Sequence, residues 1–281
     1  MPATQSLSRA YLVLEGECHL QAGALPESTL RAGDFLFLPG GEAHLLGSPL
    51  DAPARPFASL VRKPVAGELL PVRIGTQGPA THFVQLSFSC ERHLADPLLS
   101  SLPPQVFVDL AGASALDWLT DSLGLALSSS DAPFLGAAAA RSRLAELVFI
   151  EAFSRFVQSR PAGGQGWIAG LNDRYVGRAL ALIHGRPEES WTVEKLGRLV
   201  GLSRSALAER FAQVMGEPIF AFLTRWRLQL AAEYLLATPR PIQSIAKEAG
   251  YESAGAFSAA FKRAFRKPPS VWRRKHRRRG D

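Results

Sequence analysis

A chain of 281 residues with 47% hydrophobic and 20% charged positions has the composition of a globular protein, which excludes a disordered one. The length exceeds the ~100–150 residues of a usual single domain, so two domains with separate cores are expected. The net charge of +7 is unevenly divided: residues 1–190 hold 14 Lys/Arg against 18 Asp/Glu, and residues 191–281 hold 18 against 7.

That basic end is the electrostatic footprint of a phosphate-backbone binder, although a solvated basic face would give the same count. The chain has no run of ~18 apolar residues, and its start, "MPATQSLSRAYLVLEGE", lacks the basic-then-apolar order of a signal peptide. A cytoplasmic protein without a membrane partner is therefore expected. The two cysteines, Cys18 and Cys90, have no CxxC or Cys/His spacing, which argues against a disulfide framework and a zinc finger.

In chain order, "YLVLEGECHLQAG", "LRAGDFLFLPGG", "FASLVR", "THFVQLSFS" and "VFVDL" have strand length and are separated by Gly, Pro and Asp. An all-β barrel or sandwich over residues 11–110 is the economical assembly. From Ser114 the period changes. Leu116, Leu119, Leu123 and Leu127 recur at three and four, and a second run places Leu144, Leu147, Val148 and Phe156 on one stripe. Two helices are thus expected to cover the barrel or to pair with another subunit. "QSRPAGGQG", residues 158–166, is the linker candidate, and helices are expected from there to the end.

In "WTVEKLGRLVGLSRSALAERF", Val193, Leu196 and Val200 form one helical face, and Gly201 permits a tight turn. Ser203 then caps a second helix whose Leu207 and Phe211 point inward, which is a helix-turn-helix pattern. About fifty residues on, Ile242, Ile245, Ala246 and Ala249 lead to Gly250, the cap Ser253 and inward Phe257, Phe261 and Phe265. Between the two, Ile219, Phe222, Leu223, Trp226, Leu230 and Tyr234 are expected on one side of a long spacer helix.

The stretches "LGRLVGLSRSALAERFAQVMGEPIFAFLTRWRLQLAAEYL" and "IQSIAKEAGYESAGAFSAAFKRAFRKPPSVWRR" resemble the DNA-binding domain of AraC/XylS-type transcriptional regulators. The second matches that family's most distinctive block at Gly250, Tyr251, Phe257, Phe261, Phe265, Pro269 and Trp272. The resemblance implies two recognition helices in successive major-groove segments, about one turn (~34 Å) apart, with double-stranded DNA as partner.

Ser203, Arg204, Ser205, Ala208 and Glu209 are the candidate contacts of the first recognition helix. Arg204 can reach guanine or phosphate, Glu209 can accept from a cytosine amine, and Ala208 can touch a thymine methyl. In the second they are Ala254, Gly255, Ala256, Ser258, Ala259 and Lys262, a set nearly empty of hydrogen-bonding groups, with Ser253, Arg263 and Arg266 as further candidate contacts. The family often has a longer polar or basic residue at the place of Ala259 and a glycine at that of Arg266. The second unit is accordingly expected to dock through Lys262, Arg263, Arg266 and Lys267 on phosphate, while the first chooses sequence. The tail "RRKHRRR", residues 273–279, adds six positive charges.

At the other end, "GDFLFLPGGEAH" resembles the second conserved motif of cupin barrels, with Gly33, Pro39, Gly41 and His44 in its spacing, and "YLVLEGECHL" resembles the end of the first, closing at Gly16. In metal-dependent cupins two His and a Glu precede that first glycine. Here Arg9 holds the place of the Glu, no His occurs before His19, and one His cannot supply the three or four ligands a metal needs. No metal and no cofactor are expected. His44, with His19, is the candidate contact for a small-molecule effector, and Cys18 and His82 are further residues that would approach across the barrel. "GPATHFVQLSFS" and "DPLLSSLPP" resemble the sensor domain of one branch of AraC-like regulators. Only ten residues precede "YLVLEG", so a barrel lacking its first strands is expected.

The fold class is thus α+β in two domains: a cupin-like sensor barrel over 1–112, connecting helices over 113–158, a linker over 159–170, an all-α double helix-turn-helix domain over 171–275 and a basic tail over 276–281. The resemblance implies a sequence-specific transcriptional regulator, with an effector, a homodimer partner and RNA polymerase as further partners. The rival from another class is a cupin-type enzyme fused to a nucleic-acid-binding module. No GxSxG elbow frames a nucleophile, and Gly163-Gly164-Gln165-Gly166 has neither the preceding strand nor the Lys-Ser/Thr of a phosphate loop, so no enzyme chemistry is expected.

Overall fold

A computed structural model describes residues 5–48, 50, 53–59, 72, 74–75, 78–91, 98–99, 101–112, 137–160 and 163–277. It divides into two compact units, Met1–Arg92 with Leu102–Ser159, and His93–Ser101 with Arg160–Asp281.

The first unit is built on two antiparallel sheets. Strands β1 (Gln5–Glu15), β2 (Glu17–Ala22), β3 (Ser28–Arg31), β4 (Asp34–Leu38), β5 (His44–Gly47), β6 (His82–Glu91) and β7 (Val106–Asp109) are arranged β6-β1-β4-β7 and β3-β2-β5. Gly16 makes the turn from β1 into β2 at φ 78, and a Cβ there would lie 2.5 Å from the Ala80 carbonyl oxygen, so only glycine fits.

Because side chains alternate, the larger sheet has two apolar faces. Tyr11, Val13, Leu36 and Leu38 point at the smaller sheet, where Cys18, Leu20, Ala22 and Leu30 complete a core. The opposite face carries Ala10, Leu12, Phe35 and Phe37, all at most 2% exposed. Helix α1 (Ala137–Ser159) covers it: the Phe149 ring lies 5.0 Å from Phe37 and 4.7 Å from Phe88.

Three expectations are corrected. Phe57–Ser59 of "FASLVR" form a 3-10 helix rather than a strand, and the rest of that run lies outside the described residues. On α1 the buried stripe is Val148, Ala152 and Phe156, while Leu147 is 44% exposed. Strand β1 begins at Gln5, ahead of the apolar run, because Gln5–Ala10 pair in register with β6. The helix anticipated around Leu116, Leu119, Leu123 and Leu127 lies outside the described residues, as does the end of the basic tail.

The second unit contains helices α2 (Trp167–Asn172), α3 (Arg174–Gly185), α4 (Val193–Val200), α5 (Arg204–Met215), α6 (Ile219–Ala237), α7 (Ile242–Glu248), α8 (Ala254–Phe265) and α9 (Pro269–Arg277). It has two cores. Val176, Leu180, Ile183, Leu196, Leu207 and Phe211 pack with Phe222 and Leu223 of α6, whereas Ile245, Ala246, Phe257 and Phe261 pack with Leu228, Ala231, Ala232 and Leu235. The spacer α6 therefore does not keep one apolar side. At 3.6 residues per turn, positions 219, 222, 223 and 226 face opposite to 228, 231, 232 and 235. Leu230, expected on the single stripe, is only half-buried.

Candidate nucleic-acid interface

Each recognition helix is set by a serine. Ser203 Oγ accepts from the Ala206 amide at 3.2 Å and Ser253 Oγ from the Ala256 amide at 3.1 Å, each satisfying a free N–H of a helix first turn. The two units then repeat with an offset of fifty residues: Leu207 and Phe257, Phe211 and Phe261, Met215 and Phe265, Pro218 and Pro268 hold matching places. Gly216 (φ 75) ends α5 in the left-handed region and Arg266 (φ 59) ends α8 there. Arg266 is the described non-glycine residue with positive φ.

The same offset aligns the outward positions, and their chemistry differs. Arg204, Ser205, Ala208, Glu209 and Ala212 of α5 stand where α8 has Ala254, Gly255, Ser258, Ala259 and Lys262. In α5 Arg204, at the helix start, forms a 2.9 Å ion pair with Glu194, and Glu209, midway along, accepts from Gln213 Nε2 at 3.2 Å. In α8 the charge is concentrated at the end, in exposed Lys262, Arg263 and Arg266, for which the described residues supply no ion pair. Gly255, Ala256 and Ala259 are exposed, and Ala254 and Ser258 are half-buried. Along α8 and the α6 flank, a cavity of about 830 Å³ is lined by Arg227, Ala256, Ala259, Lys262, Arg263 and Arg266 among others.

Behind α5, Asp173 caps α3 by accepting from the Tyr175 and Val176 amides, both at 3.0 Å, and also holds Arg210 at 2.7 Å. Although its partial burial opposes ionisation, the Arg210 guanidinium and the two amides hold its carboxyl below the usual range. Sequence inspection missed this anchor, whose signal was the Asn-Asp pair ahead of an apolar-periodic run.

The sensor candidates are not brought together. His44 lies opposite Ala22 in the β2·β5 ladder, hence on the inward face with Leu20 and Cys18, whereas His19 lies on the outward face beside Glu17, Glu27 and Thr29. The inward partner of His44 is Tyr11, whose hydroxyl is 2.5 Å from Nε2, while Nδ1–H donates to the Glu42 carbonyl at 2.8 Å. Burial pushes the Tyr11 phenol up to about 12, so it stays a donor at neutral pH. Gln85 faces Tyr11 across the β1·β6 ladder, and Arg9 donates to the Gly41 carbonyl at 3.3 Å. His82 sits instead near Glu15, at 3.7 Å. Among the described residues no group of three His, Cys, Asp or Glu converges.

A C-terminal unit with two capped helix-turn-helix motifs on one spacer helix, joined to a cupin-like sheet unit, defines a two-domain DNA-binding protein. The Cupin family matches residues 2–156, and the Helix-turn-helix domain family matches residues 196–275. A putative AraC-like transcription regulator from Streptomyces antibioticus is 30% identical over 265 residues, covering 93% of this chain and 85% of that protein. The HTH-type transcriptional regulator AlkR of Acinetobacter baylyi is 27% identical over 94% of this chain and 87% of its own. Among solved structures, the C-terminal domain of AraT, a response regulator from Geobacillus stearothermophilus, is 33% identical over 37% of this chain and 86% of that chain, with a TM-score of 0.36.

The chain belongs to the family of AraC-like transcription regulators; it is a DNA-binding regulator and not an enzyme. No described helix is long and apolar enough to cross a membrane.

Proposed function

We propose that the two units divide the work on promoter DNA: α5 chooses the sequence through Arg204, Ser205, Ala208 and Glu209, and α8 docks a second major-groove segment through Lys262, Arg263 and Arg266. The fifty-residue offset carries this reading: Arg204, Ser205 and Glu209 of α5 stand where α8 has Ala254, Gly255 and Ala259, while the polar groups α8 holds at its matched positions are Ser258, which is half-buried, and Lys262 near the helix end. Base edges are told apart by hydrogen bonds and the thymine methyl, whereas cations on phosphate position the protein without reading sequence. Small side chains also allow close approach. Replacing Lys262 and Arg263 together by alanine is expected to weaken binding to all DNA about equally and to reduce the salt slope by up to ~2 units. A loss confined to one base position would contradict the division.

The finer partners belong to the same proposal. The inward polar side chains of Tyr11, His44 and Gln85 support an effector site in the cupin-like unit, and exposed Leu147 and Ile150 on α1 support a homodimer contact. RNA polymerase is the partner through which bound protein would act, and the cytoplasm the compartment where all of these meet. An effector that raises the melting temperature of wild type but not of His44→Ala would support the first, and a monomeric mass in solution would remove the second.

A further inference from the structure

Spacer helix α6 changes core halfway along its length. Up to Trp226 its apolar residues belong to the core of the first helix-turn-helix unit, and from Leu228 they belong to the core of the second, on the opposite side of the helix. Such a helix is a lever, because a small bend at the crossover alters both the separation and the angle of the two recognition helices. Long helices curve readily unless something fixes them.

Arg227 occupies the crossover. Its Nε donates to the Pro187 carbonyl at 2.7 Å and its Nη2 to the Glu189 carbonyl at 2.8 Å. Both carbonyls lie in the loop between α3 and α4. That loop is held to the first core by Trp191, 5% exposed, whose Nε1 donates to the Arg186 carbonyl at 2.9 Å. On its other side the guanidinium abuts Gly250, the turn residue of the second helix-turn-helix unit: a Cβ there would lie 2.5 Å from Nη1 and 2.8 Å from Cζ. One side chain thus grips the first helix-turn-helix unit by two hydrogen bonds and closes on the second helix-turn-helix unit by contact. A lysine, with a single nitrogen and no planar fork, cannot hold both carbonyls and fill the place beside Gly250 in the same way.

We infer that Arg227 is a positioning residue that locks the two helix-turn-helix units into one ruler and so sets the spacing between the half-sites the protein accepts. This rests on the DNA-binding reading given above. The discrimination available to a rigid ruler is large, because one added base pair moves the second half-site by ~3.4 Å and turns it by about 35°. A loosened crossover would absorb part of that displacement while leaving each recognition helix intact.

The test uses the full-length protein and a DNA library in which a selected bipartite site is kept and the distance between its halves is varied one base pair at a time. Wild type is expected to enrich one spacing. Arg227→Gln is expected to enrich that spacing and its neighbours on both sides, with about ten-fold weaker binding at the optimum because the second contact is made at lower effective concentration. Arg227→Lys should fall between them. Binding to a DNA carrying only the first half-site checks the fold, and it should match wild type for both variants. Spacing profiles identical to wild type, or an equal loss on the single half-site, would overturn the positioning role. A wild type that enriches no bipartite site would overturn the DNA-docking reading and the ruler with it, whereas identical profiles overturn the ruler alone.

Discussion

Arg266→Gly is expected to make the protein more stable and a weaker DNA binder. Arg266 closes α8 at φ 59 and ψ 11, the conformation that Gly216 supplies at φ 75 and ψ 4 fifty residues earlier. A non-glycine residue in this left-handed region costs roughly 1 kcal/mol or somewhat more. Two offsets reduce the gain from glycine: the unfolded chain becomes freer, and a cation near the helix C-terminus is lost, worth about 0.3 kcal/mol when exposed. The net is a stabilisation of up to about 0.5 kcal/mol, or roughly 2–4 °C in a domain of this size. If the arginine is kept because it meets a phosphate, glycine should lower the salt slope by about 0.9 and weaken binding about five-fold near physiological salt. Thermal melting gives the first quantity, and fluorescence anisotropy between about 50 and 200 mM salt gives the second. A variant with unchanged salt slope, or one that melts lower, would refute the idea that strain at this position is retained for DNA.

Three further outcomes are expected. Gly255→Ala should stabilise α8 by about 0.5–1 kcal/mol, since Gly255 lies within the helix and the nearest atom to an added Cβ is Ser253 Oγ at 3.9 Å; it should also weaken DNA binding if close approach matters, which melting and anisotropy together report. His184 packs against Trp226 at 4.2 Å, and burial, with Arg225 nearby, pushes its pKa down to about 4. Because the folded value lies below the unfolded one, its contribution is present above pH ~6.5 and is lost as pH falls toward ~4, by about 1–3 kcal/mol after allowance for partial exposure; His184→Phe should flatten melting temperature over that window, and parallel curves would count against it. Tyr11→Phe should cost about 1–2 kcal/mol in the first unit, by leaving His44 Nε2 without its donor, as read by denaturant unfolding.

Much of the architecture could be read from residue pattern, and what escaped has physical causes. The strands around Leu12, Phe37, Val84 and Val108 were legible because glycine and proline bound them. Strand β5 escaped because it spans four residues, and its identity depends on pairing with β2 rather than on its own pattern. On α1, apolar residues occupy both sides, with Leu147 and Ile150 outward and Val148 and Ala152 inward, so periodicity alone could not choose the buried stripe. In α6 the pattern misled for a better reason: a helix serving two cores on opposite sides has no single apolar face. The serine caps and inward rings of both units were legible because local chemistry fixes them. Arg227 was not, since a residue bonded to carbonyls forty and thirty-eight positions away leaves no local trace.

The most direct test of the divided reading is selection of bound sequences from a random DNA pool, with wild type and Ala259→Arg compared side by side. The account predicts one sharp half-motif beside a loose one in wild type, and sharpening of the loose half by Ala259→Arg, because an arginine at that exposed position supplies the paired donors that guanine accepts. Two equally sharp halves in wild type would mean that α8 reads sequence through its alanines, and the division of labour between the two helices would be wrong.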